Sequence, residues 1–528
     1  MQQKKLKIWL PFLFSLAVVL GMFFGFKMRD ALPGKTFFFT EKKKPLDEVL
    51  SLISANYVDK VDVASLADTA IQAMLFKLDP HSQYIPATLL EEANDGIAGN
   101  FYGIGIEFDI FDDTLNVINV LKDGPADRAG IMMGDKLLKA GDSLMAGRKR
   151  DAQAMREILK GNRGSVLTLR VLRKGDVLDL PVTRDIVSVS SIDAAYVIAP
   201  KTGFIRLSRF TQQTYREFML ALDDLKKQGI EKLILDLRGN GGGVLDEAVE
   251  IADEFLSGDK LITYTEGLHT PRKDYRTRRL GQFETGELIV LGDEGSASAS
   301  EILMGALQDW DRATIVGRKT FGKGLVQEQF NLGDGSALRL TVSRYYTPLG
   351  RSIQRPYSEG FDAYYAEVAH RTVVPDSITV VDSLSPLKPF TTPKGKLLYA
   401  EGGITPDYRV GTDTSKLGYT TALIFSRGLV SEFGYKYTVE NFDRLKQYAD
   451  PAAFNTKFTI GNEAWTYFEG LAAADSVSLD YIKGEEKNFI QKNMRLSIAR
   501  QLWRNEGFFE VMNKEDEVVI KALSLLKK

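Results

Sequence analysis

The chain contains no cysteine in 528 residues. That excludes disulfides, thiolate nucleophiles, cysteine-ligated metals and a lipid anchor on an N-terminal cysteine. Histidine is almost as scarce, with only His81, His269 and His370. A histidine-rich metal cage lacks ligands, and a Ser–His–Asp triad has three possible bases at most. No sign of charge dominates: 68 Lys+Arg against 70 Asp+Glu leave a formal net charge of -2. No long stretch is overwhelmingly basic, which argues against nucleic acid as the main partner. Internal repeats and low-complexity tracts are absent too. What remains is an ordinary folding composition, 44% hydrophobic and 26% charged, in a chain too long for one core. About three or four domains are expected.

The N-terminus carries the clearest topological signal. Lys4, Lys5 and Lys7 precede an uncharged apolar run from Ile8 to Phe26. Nineteen residues rising about 1.5 Å each nearly match a hydrocarbon core of roughly 30 Å. A cleaved signal peptide usually has a shorter apolar region and a small-x-small site. Here Lys27, Met28 and Arg29 follow instead. Residues 1–30 therefore read as a transmembrane signal anchor, N-terminus in and C-terminus out. Lys42, Lys43 and Lys44, beyond the span, do not reverse this, because long domains translocate largely regardless of such charges.

Periodicity divides the rest. Residues 31–94 read as a helical segment, with Leu46, Val49, Leu50 and Ile53 at helical spacing, then Ala70, Ala73, Met74 and Leu78. Asp79-Pro80-His81-Ser82 ends it, because proline cannot continue a helix. Residues 95–185 change period: Ile104, Ile106, Phe108 and Ile110 alternate, Asp112-Asp113 turns the chain, and Leu115 and Val117 return. A helix from Ala152 to Lys160 follows Asp151 as N-cap, and strands flank Lys174-Gly175-Asp176. This is a compact α+β module. Residues 186–410 alternate short apolar runs with helices, as in a buried parallel sheet. Residues 411–528 read as a helical extension, with Ile490, Met494, Ile498 and Leu502 on one face.

Three glycine-marked segments of the α/β part stand out. Asp236-Leu237-Arg238-Gly239-Asn240-Gly241-Gly242-Gly243 follows a strand; it lacks the last glycine of a dinucleotide fingerprint, where Val244 stands. It is either a tight turn or a row of free amides able to hold an oxyanion. Gly295-Ser296-Ala297-Ser298-Ala299-Ser300-Glu301 precedes a helix and offers either a nucleophile or a capping box of Ser298 with Glu301. Thr320-Phe321-Gly322-Lys323-Gly324 places a lysine between glycines, with Gln327 four residues on. Where histidine is scarce, a desolvated lysine can act as base for a serine.

With these motifs the chain resembles the carboxyl-terminal processing peptidases, or tail-specific proteases. The resemblance spans roughly residues 45–410. It includes Leu78-Asp79-Pro80-His81-Ser82, Tyr102-Gly103-Ile104-Gly105-Ile106, Asp236 to Gly243, Ser296 to Glu301, Phe321 to Gln327, and Gly403-Ile404-Thr405-Pro406-Asp407. Leu349-Gly350-Arg351-Ser352-Ile353-Gln354 also looks like the family. The resemblance implies a multidomain α/β protein: a crotonase/ClpP-like protease core with an inserted PDZ domain. Ser298 would be the nucleophile, chosen over Ser296 and Ser300 by its spacing of 25 residues from the general base Lys323. Gln327 would orient the lysine. The Ala299 amide and one from Gly241 to Gly243, with Gly242 preferred, would form the oxyanion hole. Tyr102, Gly103, Ile104, Gly105 and Ile106 would take the substrate C-terminus, with Met155, Ile158 and Leu159 facing it. It implies no metal and no cofactor. Partners would be protein tails, the membrane, and an adaptor or second copy. The enzyme would sit on the bacterial inner membrane with its catalytic part in the periplasm. Two rivals stand beside this: an inactive PDZ scaffold, and a crotonase-like acyl-CoA enzyme suggested by fold analogy alone.

Overall fold

Four short apolar runs that read as buried strands lie side by side in one parallel sheet. In the computed structural model, Thr202–Leu207, Lys232–Asp236, Glu287–Gly292 and Thr314–Gly317 pair in that order. Ile192–Ala199 closes one edge antiparallel, and Tyr408–Arg409 closes the other in parallel. The structure describes residues 2–31, 45–147, 151–371, 389–400, 402–411 and 418–526; Lys42, Lys43 and Lys44 lie outside them. Helices Thr214–Lys227, Leu245–Asp253 and Ala299–Asp309 cover one sheet face, burying Phe218, Leu222, Ile251, Leu303 and Leu307 against Ile205, Leu235 and Val290. Parallel strands buried on both faces need no polar alternation, which is why they appear as unbroken apolar runs.

The other face is covered from far along the chain. Val518, Val519, Ala522 and Leu526 of the last helix pack on Phe204, Ile234, Ile289 and Leu291. The preceding helix, Gly484–Met512, buries Ile490, Met494 and Ile498 against its neighbours, then kinks at Trp503 and Arg504. Beyond the kink, Phe509 stacks under Arg206, and Asp516 pairs with Arg238 at 2.9 Å. The helices after residue 418 also meet the α+β module, where Tyr435 stacks on Phe111 and Lys436 reaches Asp112 at 3.0 Å.

That module is a sheet of Ile106–Phe111, Thr114–Val120, Lys136–Ala140, Val166–Arg173 and Asp176–Thr183. Its turns follow from the sequence. Asp112 and Asp113 both have positive φ, 51° and 52°, a hairpin geometry that aspartate tolerates. Asp151 accepts the Ala154 amide at 2.7 Å and starts the helix Ala152–Leu159. A second sheet adds to the α/β part: Gln83–Ile85 pairs with Ala337–Tyr346. The stretch after Asp79, read from sequence as the end of a helical segment, thus enters a strand of this second sheet and then the helix Ala87–Ala98.

Residues 1–74 form a separate unit. Within it the helix Gln2–Ala31 contains Trp9–Lys27, 19 residues whose length and composition are those of a membrane span or signal sequence.

The far end of Ala299–Asp309 is fixed by a buried ion pair. Arg351, 1% exposed, donates to Asp309 Oδ1 from Nε (2.9 Å) and Nη2 (2.6 Å), and Asp309 is fully buried. Breaking a buried pair strands the remaining charge, at about 3–5 kcal/mol. Asp309→Ala should therefore lower the unfolding temperature of the α/β part in calorimetry. An unchanged transition would show that the pair contributes nothing net.

Candidate active site

The three glycine-marked segments leave the C-terminal ends of three adjacent parallel strands, those ending at Asp236, Gly292 and Gly317. Crevices at that end of a sheet are where open α/β folds place their ligands. Asn240 joins the first two segments. Its carbonyl accepts the Ala297 amide (3.0 Å) and the Ser300 hydroxyl (2.9 Å), and its Nδ2 donates to Leu207 O (2.9 Å). Ser296 donates its hydroxyl to Leu237 O at 2.8 Å. The hydroxyls of Ser296 and Ser300 are thus buried and committed to backbone. Ser298, between them, is half-buried and holds φ +55° at the start of the helix Ala299–Asp309. A non-glycine residue in that region is strained, and such strain collects at functional turns.

Gly242 lies against Ser298. A Cβ there would stand 2.8 Å from Ser298 Cβ and 2.9 Å from the Ala299 nitrogen, at φ +93°. Only glycine permits that approach. The Gly242 amide donates to Asn240 Oδ1 at 2.9 Å, so in this arrangement it is engaged within its own turn.

Glu301 draws the second and third segments together. It accepts the Ser298 amide on Oε2 at 2.9 Å, the acidic half of a capping box. The same oxygen accepts the Lys323 amide at 2.9 Å, while Oε1 accepts the Gly322 amide (2.6 Å) and the Thr320 hydroxyl (2.5 Å). Tyr345 adds a second tie, its buried hydroxyl lying 3.0 Å from Ser298 O and 2.7 Å from Lys323 O. Sequence reasoning reached Glu301 only as a cap and missed Tyr345, which has no local signal.

Lys323 Nζ donates to Gln327 Oε1 at 3.0 Å and makes no hydrogen bond to the Ser298 hydroxyl. Its flanking glycines permit close packing: a Cβ on Gly322 would fall 2.5 Å from Arg355 Cγ, and one on Gly324 would fall 2.9 Å from the Gln354 nitrogen. Burial pushes the Lys323 ammonium below its ordinary range, opposed by Asp79 and Glu301. From the local sequence no acid stands near this lysine; folding brings both. His81 bonds through Nε2 to Tyr364 at 3.0 Å and lies close enough to Lys323 to feel its charge. Burial and Lys323 lower it to about 4. Among the described residues no cluster of His, Asp or Glu could hold a metal.

The second concavity lies in the α+β module. A cavity of about 510 Å³ is lined by Gly103, Ile104, Gly105, Ile106, Phe108 and Leu159. Tyr102, in the strand Asn100–Gly103 that pairs with Asp185–Ser188, does not itself line it, and Met155 is buried in the module's core.

Comparison with known proteins matches residues 201–360 to Peptidase family S41 and residues 103–183 to the PDZ domain. Residues 421–504 match a family of unknown function (DUF8443). The chain is 37% identical over 317 residues to a carboxy-terminal-processing protease of Bartonella bacilliformis, covering 58% of this chain and 71% of that relative. It is 33% identical over 312 residues to a probable CtpA-like serine protease of Staphylococcus epidermidis, covering 59% and 63%. Among solved structures, the photosystem II D1 C-terminal processing protease aligns with 70% of this chain and 88% of its own, at 25% identity and TM-score 0.35. The peptide-bound PDZ domain of a Vibrio cholerae carboxy-terminal protease aligns with 17% of this chain and 99% of its own, at 21% identity and TM-score 0.16.

Desolvation raises Glu301 from 4.5 to about 7, outweighing its four donors. A carboxyl raised on folding contributes stability that is full below its unfolded pKa and lost as pH climbs through its folded one. Wild type should therefore lose stability relative to Glu301→Gln between about pH 4.5 and 7. Parallel unfolding temperatures across that window would contradict the assignment.

Proposed function

We propose, proceeding from the fact that the chain belongs to the carboxy-terminal-processing serine proteases of peptidase family S41, that Ser298 and Lys323 are its catalytic dyad and that its PDZ domain grips substrate tails. The observation that carries this reading is the pinning of Ser298 and Lys323 to one buried carboxylate, while Ser296 and Ser300 are committed to backbone. Neutral Lys323 Nζ takes the Ser298 proton as Oγ attacks the scissile carbonyl carbon. The lysine then protonates the departing amine, leaving an acyl-enzyme. In the second half it removes a proton from water as the water oxygen attacks the acyl carbon, then returns that proton to Ser298 Oγ as the ester C–O bond breaks and the acid is released. Gln327 orients the amine. The oxyanion donors are the Ala299 amide and an amide from 241–243; Gly242 serves once its bond to Asn240 opens.

The core is read as a crotonase/ClpP-like α/β fold over residues 186–410. The PDZ domain occupies residues 95–185, after a helical segment at 31–94 and before a helical extension at 411–528. Residues 1–30 tether the enzyme to the bacterial inner membrane, with the catalytic part in the periplasm acting on exported proteins. The bond from Lys323 to Gln327 rather than to Ser298 also suits the rival of an inactive PDZ scaffold. Turnover separates the two.

Ser298→Ala and Lys323→Ala should each abolish cleavage of a protein with an unstructured apolar tail, and the double variant should be scarcely worse, because the pair acts as a unit. Gln327→Ala should lose less. Full activity in Lys323→Ala would refute the base. The kcat/KM of wild type should rise from mildly acidic towards alkaline pH on one ionisation, below the ordinary lysine value near 10.4. That rise should survive His81→Gln, His269→Gln and His370→Gln taken singly. Loss of both the ionisation and the activity in one of them would make histidine the base.

A further inference from the structure

The tail cavity has a wall that does not come from the PDZ domain. Besides Gly103, Ile104 and Gly105, it is lined by Arg209 of the protease core. Arg209 stands on the segment between Thr202–Leu207 and Thr214–Lys227, and that segment is pinned close to it. Next to it, the Phe210 amide donates to Gly242 O at 3.0 Å, and Phe210 O accepts the Val244 amide at 2.9 Å. Two residues further, the Gln212 amide donates to Ile97 O at 3.1 Å. The backbone is therefore fixed while the side chain is exposed to the cavity.

The cavity's other charges are mostly spoken for. Lys160 pairs with Glu92 at 3.4 Å, Glu107 accepts Asn119 at 3.0 Å, and Arg156 lies 5.9 Å from the Phe108 ring. Asp95, raised by burial and by Glu91, is the remaining acid. The Arg209 guanidinium has no hydrogen-bond or ion-pair partner among the described residues. A free carboxylate entering beside the Gly103–Gly105 amides would meet acids on this wall and needs a counter-charge. A guanidinium supplies it with two parallel donors.

We propose that Arg209 is the counter-charge of the captured C-terminal carboxylate, so that a tail is held at full strength only where the PDZ domain lies against the protease core. This rests on the reading that the cavity takes tails by their free carboxylate. Binding of a fluorescein-labelled peptide with an apolar C-terminus, as free acid and as amide, tests it on the full chain carrying Ser298→Ala so that the peptide survives. The parent should prefer the acid. Arg209→Met should weaken the acid about tenfold, leave the amide unchanged and so shrink the preference; Arg209→Lys should keep part of it. A preference in Arg209→Met as large as the parent's overturns the role of Arg209 while sparing the tail reading. Equal binding of acid and amide by the parent overturns both.

Discussion

Glu301 is the interaction on which the rest of the site depends. Two loops from neighbouring strands carry the serine and the lysine, and nothing in their own sequences obliges them to meet. One carboxylate accepts two donors on each oxygen, and three of the four come from the lysine loop. Removing it would leave three amides and a hydroxyl buried without partners, each costing about 1–3 kcal/mol. Much of the remaining framework supports this node. The Ile404 amide donates to the Thr320 hydroxyl (2.6 Å), and Thr320 in turn reaches Glu301. Gln354 accepts the Gly324 amide at 2.8 Å, and Arg351 secures the other end of the helix that Glu301 begins.

The same burial that makes this carboxylate a strong acceptor sets the site's electrostatics. Desolvation disfavours every charge, so it pushes Glu301 up and Lys323 and His81 down. For Lys323 the acids Asp79 and Glu301 pull the other way and lose. For His81 the lysine works in the same direction as burial, so at neutral pH the imidazole is uncharged. A half-buried neutral histidine bonded to Tyr364 packs the lysine's surroundings without competing for its proton. The site thus approaches neutrality from both sides. A lysine base requires this, because the neutral amine grows about tenfold in population for every tenfold weakening of its hold on the proton.

How much of this is legible in the sequence depends on range. The turns at Asp112-Asp113 and Lys174-Gly175, the cap at Asp151 and the buried strands are short-range signals, and each could be read directly. So could the three segments bearing Gly242, Ser298 and Lys323, because glycine and serine clusters after strands have few other uses. The ties between them could not. Tyr345 is on a strand 47 residues from Ser298, Arg351 lies 42 residues from Asp309, and Gln83 pairs with Arg339. No local pattern encodes these pairings. The kink at Trp503 and Arg504 interrupts a helix whose apolar period gives no warning, and the bond from Gly242 to Asn240 is a detail of turn geometry.

The insertion point of the PDZ domain follows from the same economy of contacts. The chain enters it through Ile97–Gly103 and leaves through Asp185–Ser191, and those two stretches pair with each other. Both are also fastened to one core segment: Gly99 lies so close to Thr211 that a Cβ would stand 2.6 Å from its hydroxyl, and Ser191 bonds Thr214 at 2.7 Å. That segment, through Phe210, carries the backbone of Gly242 to Val244. A domain joined by a single flexible strand could wander through many orientations. One joined by two paired strands, each anchored to the same loop, has few. Its groove is therefore held beside the loop that backs Ser298, and the separation between that cavity and Ser298 is set by backbone hydrogen bonds rather than by a linker.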